Sequence, residues 1–268
     1  MSYKGTGVGR FLDRLKAYGN VEVEGDIVPD GAYRAKADKD YCHQIFNSEP
    51  VSAAKLGAGA ATGTGGDENL MIFSNVTLEY HMLGTQTIVS PSLGTNGLNV
   101  GLDQTANDGV EVCAGINANV RGAFVVGTSP AFFAKLKFSI ADVSGTDDCA
   151  FGFRKVEAYQ ANIDDYDEMA CLNVISGDIY IETILNAGAT VSTDTTENWA
   201  DAAIHTLEVY VSAAGVVTYK IDGNAPATVA AFTFDDAEVV VPFFYFLNDT
   251  DLAGDVSLIE LEYGYQLD

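Results

Sequence analysis

From about residue 70 onward the sequence predicts an all-β fold, a two-sheet antiparallel β-sandwich, preceded by an extended N-terminal arm over residues 1–69. Three observations carry that prediction. About a dozen short runs rich in β-branched and aromatic residues follow one another at turn-to-turn spacings of about ten residues. Several of them alternate apolar and polar residues with period two, the pattern of a strand with one buried face. No segment after residue 70 has helical periodicity, which excludes α/β folds with crossover helices, and no internal repeat points to a solenoid or propeller.

The arm contains a short amphipathic stretch, Phe11-Leu12-Asp13-Arg14-Leu15-Lys16-Ala17-Tyr18, in which Phe11, Leu15 and Tyr18 fall at i, i+4 and i+7. That spacing predicts two turns of helix ended by Gly19-Asn20, too short to be stable unless the apolar stripe lies against something. Phe11, Leu15 and Tyr18 are therefore candidate partner-binding residues. A strand from Asn20 to Glu24 and a turn at Pro29-Asp30-Gly31 follow, then a mixed segment to Pro50. The run from Ala53 to Gly66 is rich enough in Gly and Ala to read as a linker or extended arm. Its glycines are not followed by the Lys-Ser or Lys-Thr of a phosphate-binding loop, so no nucleotide site is assigned.

The predicted strands are Met71–Tyr80, Gln86–Val89, Val110–Ile116, Gly122–Val126, Phe132–Ile140, Ala150–Glu157, Glu168–Val174, Ile179–Leu185, His205–Ser212, Val216–Ile221, Thr228–Phe234, Glu238–Leu247 and Asp255–Tyr265. Turn chemistry separates them at Asn96-Gly97, Asn107-Asp108-Gly109, Ser144-Gly145, Ser176-Gly177-Asp178, Ala214-Gly215 and Asp222-Gly223-Asn224. Alternation assigns Leu207, Val209 and Val211 to one face, with Thr206, Glu208 and Tyr210 on the other. It likewise sets Val217, Tyr219 and Ile221 against Val216, Thr218 and Lys220. In Phe243-Phe244-Tyr245-Phe246 it sends Phe244 and Phe246 to the core and Phe243 and Tyr245 outward. Phe243 and Tyr245 are thus candidates for stacking on a sugar ring or burying in a partner, unless the domain or its arm covers that face.

Fourteen Lys and Arg against thirty-eight Asp and Glu give a formal net charge of −24, which disfavours nucleic acid and anionic membrane as partners. The charge is uneven. Residues 1–50 hold seven basic and eight acidic side chains, so nearly all of the excess negative charge falls on the remainder. A nearly neutral segment ahead of a polyanionic body suits docking by the former and exposure of the latter. The first twenty residues contain no apolar run long enough for a secretory signal, and Val239 to Leu247 is too short to span a membrane. Cytosolic synthesis is the expectation, and with it free buried thiols at Cys42, Cys113, Cys149 and Cys171.

No catalytic residue, cofactor or metal is assigned. A retaining glycosidase on such a sandwich needs two carboxylates about 5–5.5 Å apart, commonly presented as Glu-x-Asp-x-x-Glu or Glu-x-Asp-x-Glu on a strand, and that pattern is absent. The densest acidic stretch, Asp164-Asp165-Tyr166-Asp167-Glu168, would put Asp165 and Asp167 on one face if extended. It reads as a solvated loop, with a Ca²⁺ site that also takes in Asp147-Asp148 as the alternative. His43, His81 and His205 show no ligand spacing, and His205 reads as a structural residue at a strand edge.

The stretch Trp199 to Asn224 resembles the central hairpin of concanavalin-like and laminin-G-like jelly rolls. There a Trp and a His precede an alternating strand, and the return strand ends in Tyr-x-Ile/Val-Asp-Gly. The matching positions are Trp199, His205, Leu207, Val209, Gly215, Tyr219, Ile221, Asp222 and Gly223. The longer run Ala131 to Asp268, with Phe132 to Asp142 and Cys149 to Lys155, is similar to structural proteins of marine tailed bacteriophages that carry this jelly roll behind a variable N-terminal segment. That second resemblance implies a non-enzymatic virion component, a capsid decoration or appendage protein. Its partners would be the major capsid protein or other virion proteins and further copies of itself. The alternative it leaves open is a carbohydrate-binding or host-adhesion module on a tail or fibre.

Overall fold

The computed structural model describes residues 41–47, 52–55, 63–64, 68–73, 76–86, 91–101, 105–114, 122–249 and 255–266. In chain order the strands are β1 (Tyr41–Ile45), β2 (Ser52–Lys55), β3 (Gly63–Thr64), β4 (Glu68–Ile72), β5 (Thr77–Leu83), β6 (Thr85–Gln86), β7 (Ser92–Leu93), β8 (Leu98–Asn99), β9 (Gly109–Cys113) and β10 (Phe124–Val125). They continue as β11 (Phe132–Ile140), β12 (Thr146–Lys155), β13 (Met169–Ile175), β14 (Asp178–Ile184), β15 (Val191–Asn198), β16 (Ile204–Val211), β17 (Val217–Ile221), β18 (Val239–Asn248) and β19 (Val256–Tyr265).

Two antiparallel sheets result. The seven-stranded sheet runs β17-β16-β11-β19-β8-β7, with β1 also paired to β19. The ten-stranded sheet runs β15-β14-β13-β12-β18-β9-β5-β4-β2, with β10 also on β18. β3 and β6 form a small separate ladder. Period-two alternation sorts the side chains as the sequence reading requires. Leu136, Phe138, Leu207, Val209, Val211, Val217, Tyr219 and Ile221 fill the core from one sheet; Phe151, Phe153, Leu172, Ile181, Phe244 and Phe246 meet them from the other. Aromatic rings tie the layers together: Phe138 packs on Trp199 at 4.5 Å and on Phe244 at 5.5 Å between centroids.

The turn residues behave as their chemistry dictates. Asp222 and Gly223 both take positive φ, 51° and 81°, and Ile221 and Asn224 exchange backbone hydrogen bonds across them, a two-residue hairpin of the kind that matches strand twist. All four cysteines are free and buried. Burial pushes the Cys42 thiol up to about 12.

Several boundaries differ from the sequence reading. β1 and β2 lie in the stretch read as arm, yet β1 pairs with β19 and β2 with β4, so among the described residues the sandwich already has strands from Tyr41, ahead of residue 70. Residues Lys39–Asp268 group as one unit. The run Met71–Tyr80 belongs to two strands, β4 and β5, with Phe73 N–H donating to Val76 O between them; Ser74-Asn75 is turn chemistry in the sequence. Thr228–Phe234 forms no strand beyond a bridge from Thr233 to Val216. β15 was not anticipated because Val-Ser-Thr-Asp-Thr-Thr-Glu-Asn has no apolar alternation; it is an edge strand whose side chains face water, Thr195 excepted. The helix expected over Phe11 to Tyr18, the strand Asn20 to Glu24 and the turn at Pro29 to Gly31 lie outside the described residues.

Candidate functional site

The face of the ten-stranded sheet turned away from the core holds a cluster of buried polar and ionisable side chains, Glu111, Arg154, Asn173 and Glu182 among them. Register sets its rows. One row runs His81, Glu111, Tyr245, Ala150, Asn173, Tyr180, Asp194 across six successive pairings. The neighbouring row runs Cys113, Phe243, Gly152, Cys171, Glu182, Ser192.

The half of this face nearest β18 is sealed by the chain itself. The connection from β12 to β13 folds over it, making a short 3₁₀ turn at Ile163–Asp165 capped by the Asn162 side chain. Ile163 and Tyr166 close over Phe243, Tyr245, Met169 and Ile184 in a second apolar cluster. The Tyr245 hydroxyl donates to Ala161 O at 2.8 Å. Alternation therefore predicted the direction of Phe243 and Tyr245 correctly, but neither is a surface residue: they are 1 % and 0 % exposed. Of the sequence-predicted partner-binding residues these two are corrected to core, because the loop supplies the apolar cover; Phe11, Leu15 and Tyr18 lie outside the described residues.

Beneath the seal sits an ion pair that sequence reasoning missed. Arg154 Nε donates to Glu111 Oε1 at 2.6 Å, both side chains fully buried. Tyr166 donates its hydroxyl to Glu111 Oε2 at 2.5 Å, Arg154 Nη1 donates to Lys155 O at 2.8 Å, and the guanidinium lies 4.6 Å from the centre of the Tyr166 ring. Burial opposes the charge on Arg154, but the adjacent Glu111 carboxylate outweighs it and holds the guanidinium pKa above its ordinary value. Burial, then Glu111, raises Tyr166 as well. The signal was available: Arg154 falls at an outward position of an apolar strand in an acidic body.

The other half of the face is acidic. Asn173 Nδ2 donates to Asp148 Oδ1 at 2.6 Å and to Glu182 Oε2 at 2.8 Å, while Asn173 Oδ1 accepts from the Cys149 N–H at 2.8 Å. Burial raises the Asp148 carboxyl to about 7, with Glu182, Asp147 and Asp164 adding repulsion against the Asn173 hydrogen bond. Glu182 is raised by burial against the hydrogen bonds from Asn173 and Ser192, and Asp147 by burial, Asp249 and Asp164. Asp147, Asp148 and Asp164 thus feel one another, as the calcium alternative required. Among the described residues, however, no group of three or more His, Cys, Asp or Glu is placed to hold a metal ion. Asp165 sits in the 3₁₀ turn and Asp167 pairs with Lys155 at 3.6 Å, so the two do not line up on one extended face.

His205 lies at the start of β16, where the sequence reading put it. Its Nδ1 lies 2.6 Å from Asp222 Oδ2 and its ring meets Trp199 edge-on, while Asp222 Oδ1 accepts from the Thr206 N–H, so the pair locks the hairpin to the start of β16.

No family model matches the chain, and no curated protein matches it in sequence. Solved structures do match in shape. The carbohydrate recognition domain of Emp47p is 11% identical, covers 88% of this chain and 100% of its own, with a TM-score of 0.51. A β-glucanase of Bacillus licheniformis is 8% identical over 85% of this chain and 99% of its own, TM-score 0.47, and galectin LEC-6 of Caenorhabditis elegans is 14% identical over 56% and 100%, TM-score 0.35. At these identities the likeness concerns the fold, and with the sheet order above it establishes a concanavalin-like jelly-roll sandwich.

Proposed function

We propose that this chain is a non-catalytic structural protein of a phage virion, a capsid decoration protein that attaches through its N-terminal residues and displays the acidic jelly roll. The observation that carries the non-catalytic part is the sealed sheet face. The aromatic strand that would floor a substrate cleft is covered by Ile163 and Tyr166, and the paired carboxylates Asp148 and Glu182 are both engaged by one structural amide. The virion assignment is supported by the resemblance over Ala131 to Asp268 and by the nearly neutral charge of residues 1–50 beside a polyanionic remainder. Such a body stays soluble at high density and repels other acidic surfaces, which leaves attachment to the neutral segment and its apolar stripe of Phe11, Leu15 and Tyr18.

The test is attachment. Full-length chain should co-sediment with particles of the phage that encodes it and appear as added density on the shell by electron microscopy. A chain lacking residues 1–38 should fold and stay in the supernatant; the deletion stops there because removing Tyr41–Ile45 would strip β1 from β19. Co-sedimentation of the shortened chain would refute attachment by the arm, and absence of the full chain from particles would refute the virion reading.

A further inference from the structure

The face of the seven-stranded sheet turned away from the core gathers cations in an otherwise acidic chain. Lys135, Lys137 and Lys220 stand on it, three of the seven Lys and Arg residues that follow residue 50. Alternation puts them there, because Leu136, Phe138, Tyr219 and Ile221 beside them fill the core. Glu208, Glu260 and Glu262 lie next to these lysines in the ladders, so lysine and glutamate balance on this face of a chain with net charge −24.

Register arranges these side chains in rows. Across β17, β16, β11, β19 and β1 one row reads Lys220, Glu208, Lys135, Glu262, His43, basic and acidic residues in strict alternation. Lys135 Nζ lies 3.7 Å from Glu208 Oε2 and 3.9 Å from Glu262 Oε2. The row on one side reads Thr218, Tyr210, Phe133, Gly264, Tyr41, with Phe133 stacked on Tyr210 at 5.9 Å between centroids and Lys135 Nζ 5.2 Å from the centre of the Phe133 ring. The row on the other side reads Thr206, Lys137, Glu260, Ile45. These contacts hold the side chains in place while leaving them partly open: those of Lys135, His43 and Glu260 are 31 %, 36 % and 40 % exposed. A surface ordered in advance loses little entropy on docking.

The charge pattern selects the occupant. Two copies of a polyanion repel, least where their charge balances. An alternating row is also complementary to itself. A twofold axis parallel to the strands and midway between β11 and β19 lays β11 over the partner's β19, and β16 over the partner's β1. That single operation sets Lys135 opposite the partner's Glu262, Lys137 opposite the partner's Glu260, and Phe133 opposite the partner's Gly264, where no side chain obstructs the ring. The four overlapping strands offer about 500 Å² of flat area per copy. Such a dimer buries about 1,000 Å² in all, the lower bound of a specific interface and the mark of a reversible one. We propose that this face joins two copies of the chain in a twofold dimer, sheet against sheet. The inference goes beyond the virion reading and is independent of it: the interface lies on the sandwich, away from the residues proposed to attach it.

The experiment is sedimentation velocity on the full-length chain from about 1 to about 100 μM, over which monomer should give way to dimer. Lys135→Glu and Glu262→Lys, unchanged in near-UV circular dichroism, should each stay monomeric, because each sets two like-charge pairs across the axis. Mixed in equal amounts, the two variants should dimerise, since both pairs then become opposite in sign. Lys155→Glu, an equal change of charge on the other sheet, should leave the dimer intact. On the unaltered chain, acetylation of Lys135 and Lys137 should slow about threefold or more between the low and the high concentration, a shift set by the dimer fraction, while Lys155 reacts at a constant rate. A monomer at every concentration, a dimer that survives Lys135→Glu, an equal loss in Lys155→Glu, a mixture that stays monomeric, or unprotected Lys135 and Lys137 would each overturn the proposal, whatever the outcome of the particle experiment.

Discussion

Replacing Glu111 with Gln tests whether the sealed cluster is held by its buried charge pair. The substitution keeps the shape of the side chain but leaves the Arg154 guanidinium fully buried without its counter-ion, and removes the anionic acceptor used by Tyr166. Breaking a buried pair from one side costs about 3–5 kcal/mol, most of it the uncompensated charge. In a domain of this size each kcal/mol moves the melting temperature by about 2–4 °C, so Tm should fall by about 6–20 °C. Urea denaturation followed by intrinsic fluorescence should show a lower midpoint with an unchanged slope. The charge argument makes a second demand: Glu111→Leu combined with Arg154→Met should recover most of the loss, because two apolar side chains leave no orphaned ion. A single-variant loss below about 1 kcal/mol, or a double variant as unstable as the sum of its singles, would refute the reasoning.

Three further outcomes follow from the same geometry. Asp148 has a folded-state pKa raised to about 7, above its unfolded value near 4, so the unfolded state gives up this proton first and stability should fall as pH rises from about 4 to about 7, then level off. Urea midpoints across that range should show the slope, and Asp148→Asn should flatten it. Phe138→Ala removes the ring that joins Trp199 to Phe244 and should cost about 3–5 kcal/mol by the same assay. Incubation with a range of polysaccharides should release no reducing sugar; turnover that disappears in Asp148→Asn and Glu182→Gln would overturn the non-catalytic proposal.

What was legible in the sequence was local. Val209 and Tyr219 announce their faces by alternation, and Asp222-Gly223 announces a positive-φ turn, because each depends only on neighbours in the chain. Phe243 and Tyr245 show where that logic stops. Alternation gave their direction, but whether an outward face meets water depends on a loop that comes about eighty residues earlier. β15 was invisible for the opposite reason: an edge strand needs no apolar pattern when its ladder partner β14 supplies the pairing.

The pairing of β1 with β19 also fixes how the sandwich can be handled. Tyr41 lies opposite Gly264, so the first and last described strands run side by side, the start of one beside the end of the other. A reporter joined close behind Tyr265 would emerge beside β1 and crowd anything attached there. Cargo is better carried at a hairpin elsewhere, such as the exposed β14–β15 turn at Ala187-Gly188, where the backbone already reverses at the edge of the sheet. The adjacency equally permits a circular permutant, with a short linker joining residue 265 to residue 41 and new ends at that hairpin, whose folding would show that the order of the strands matters less than their neighbours.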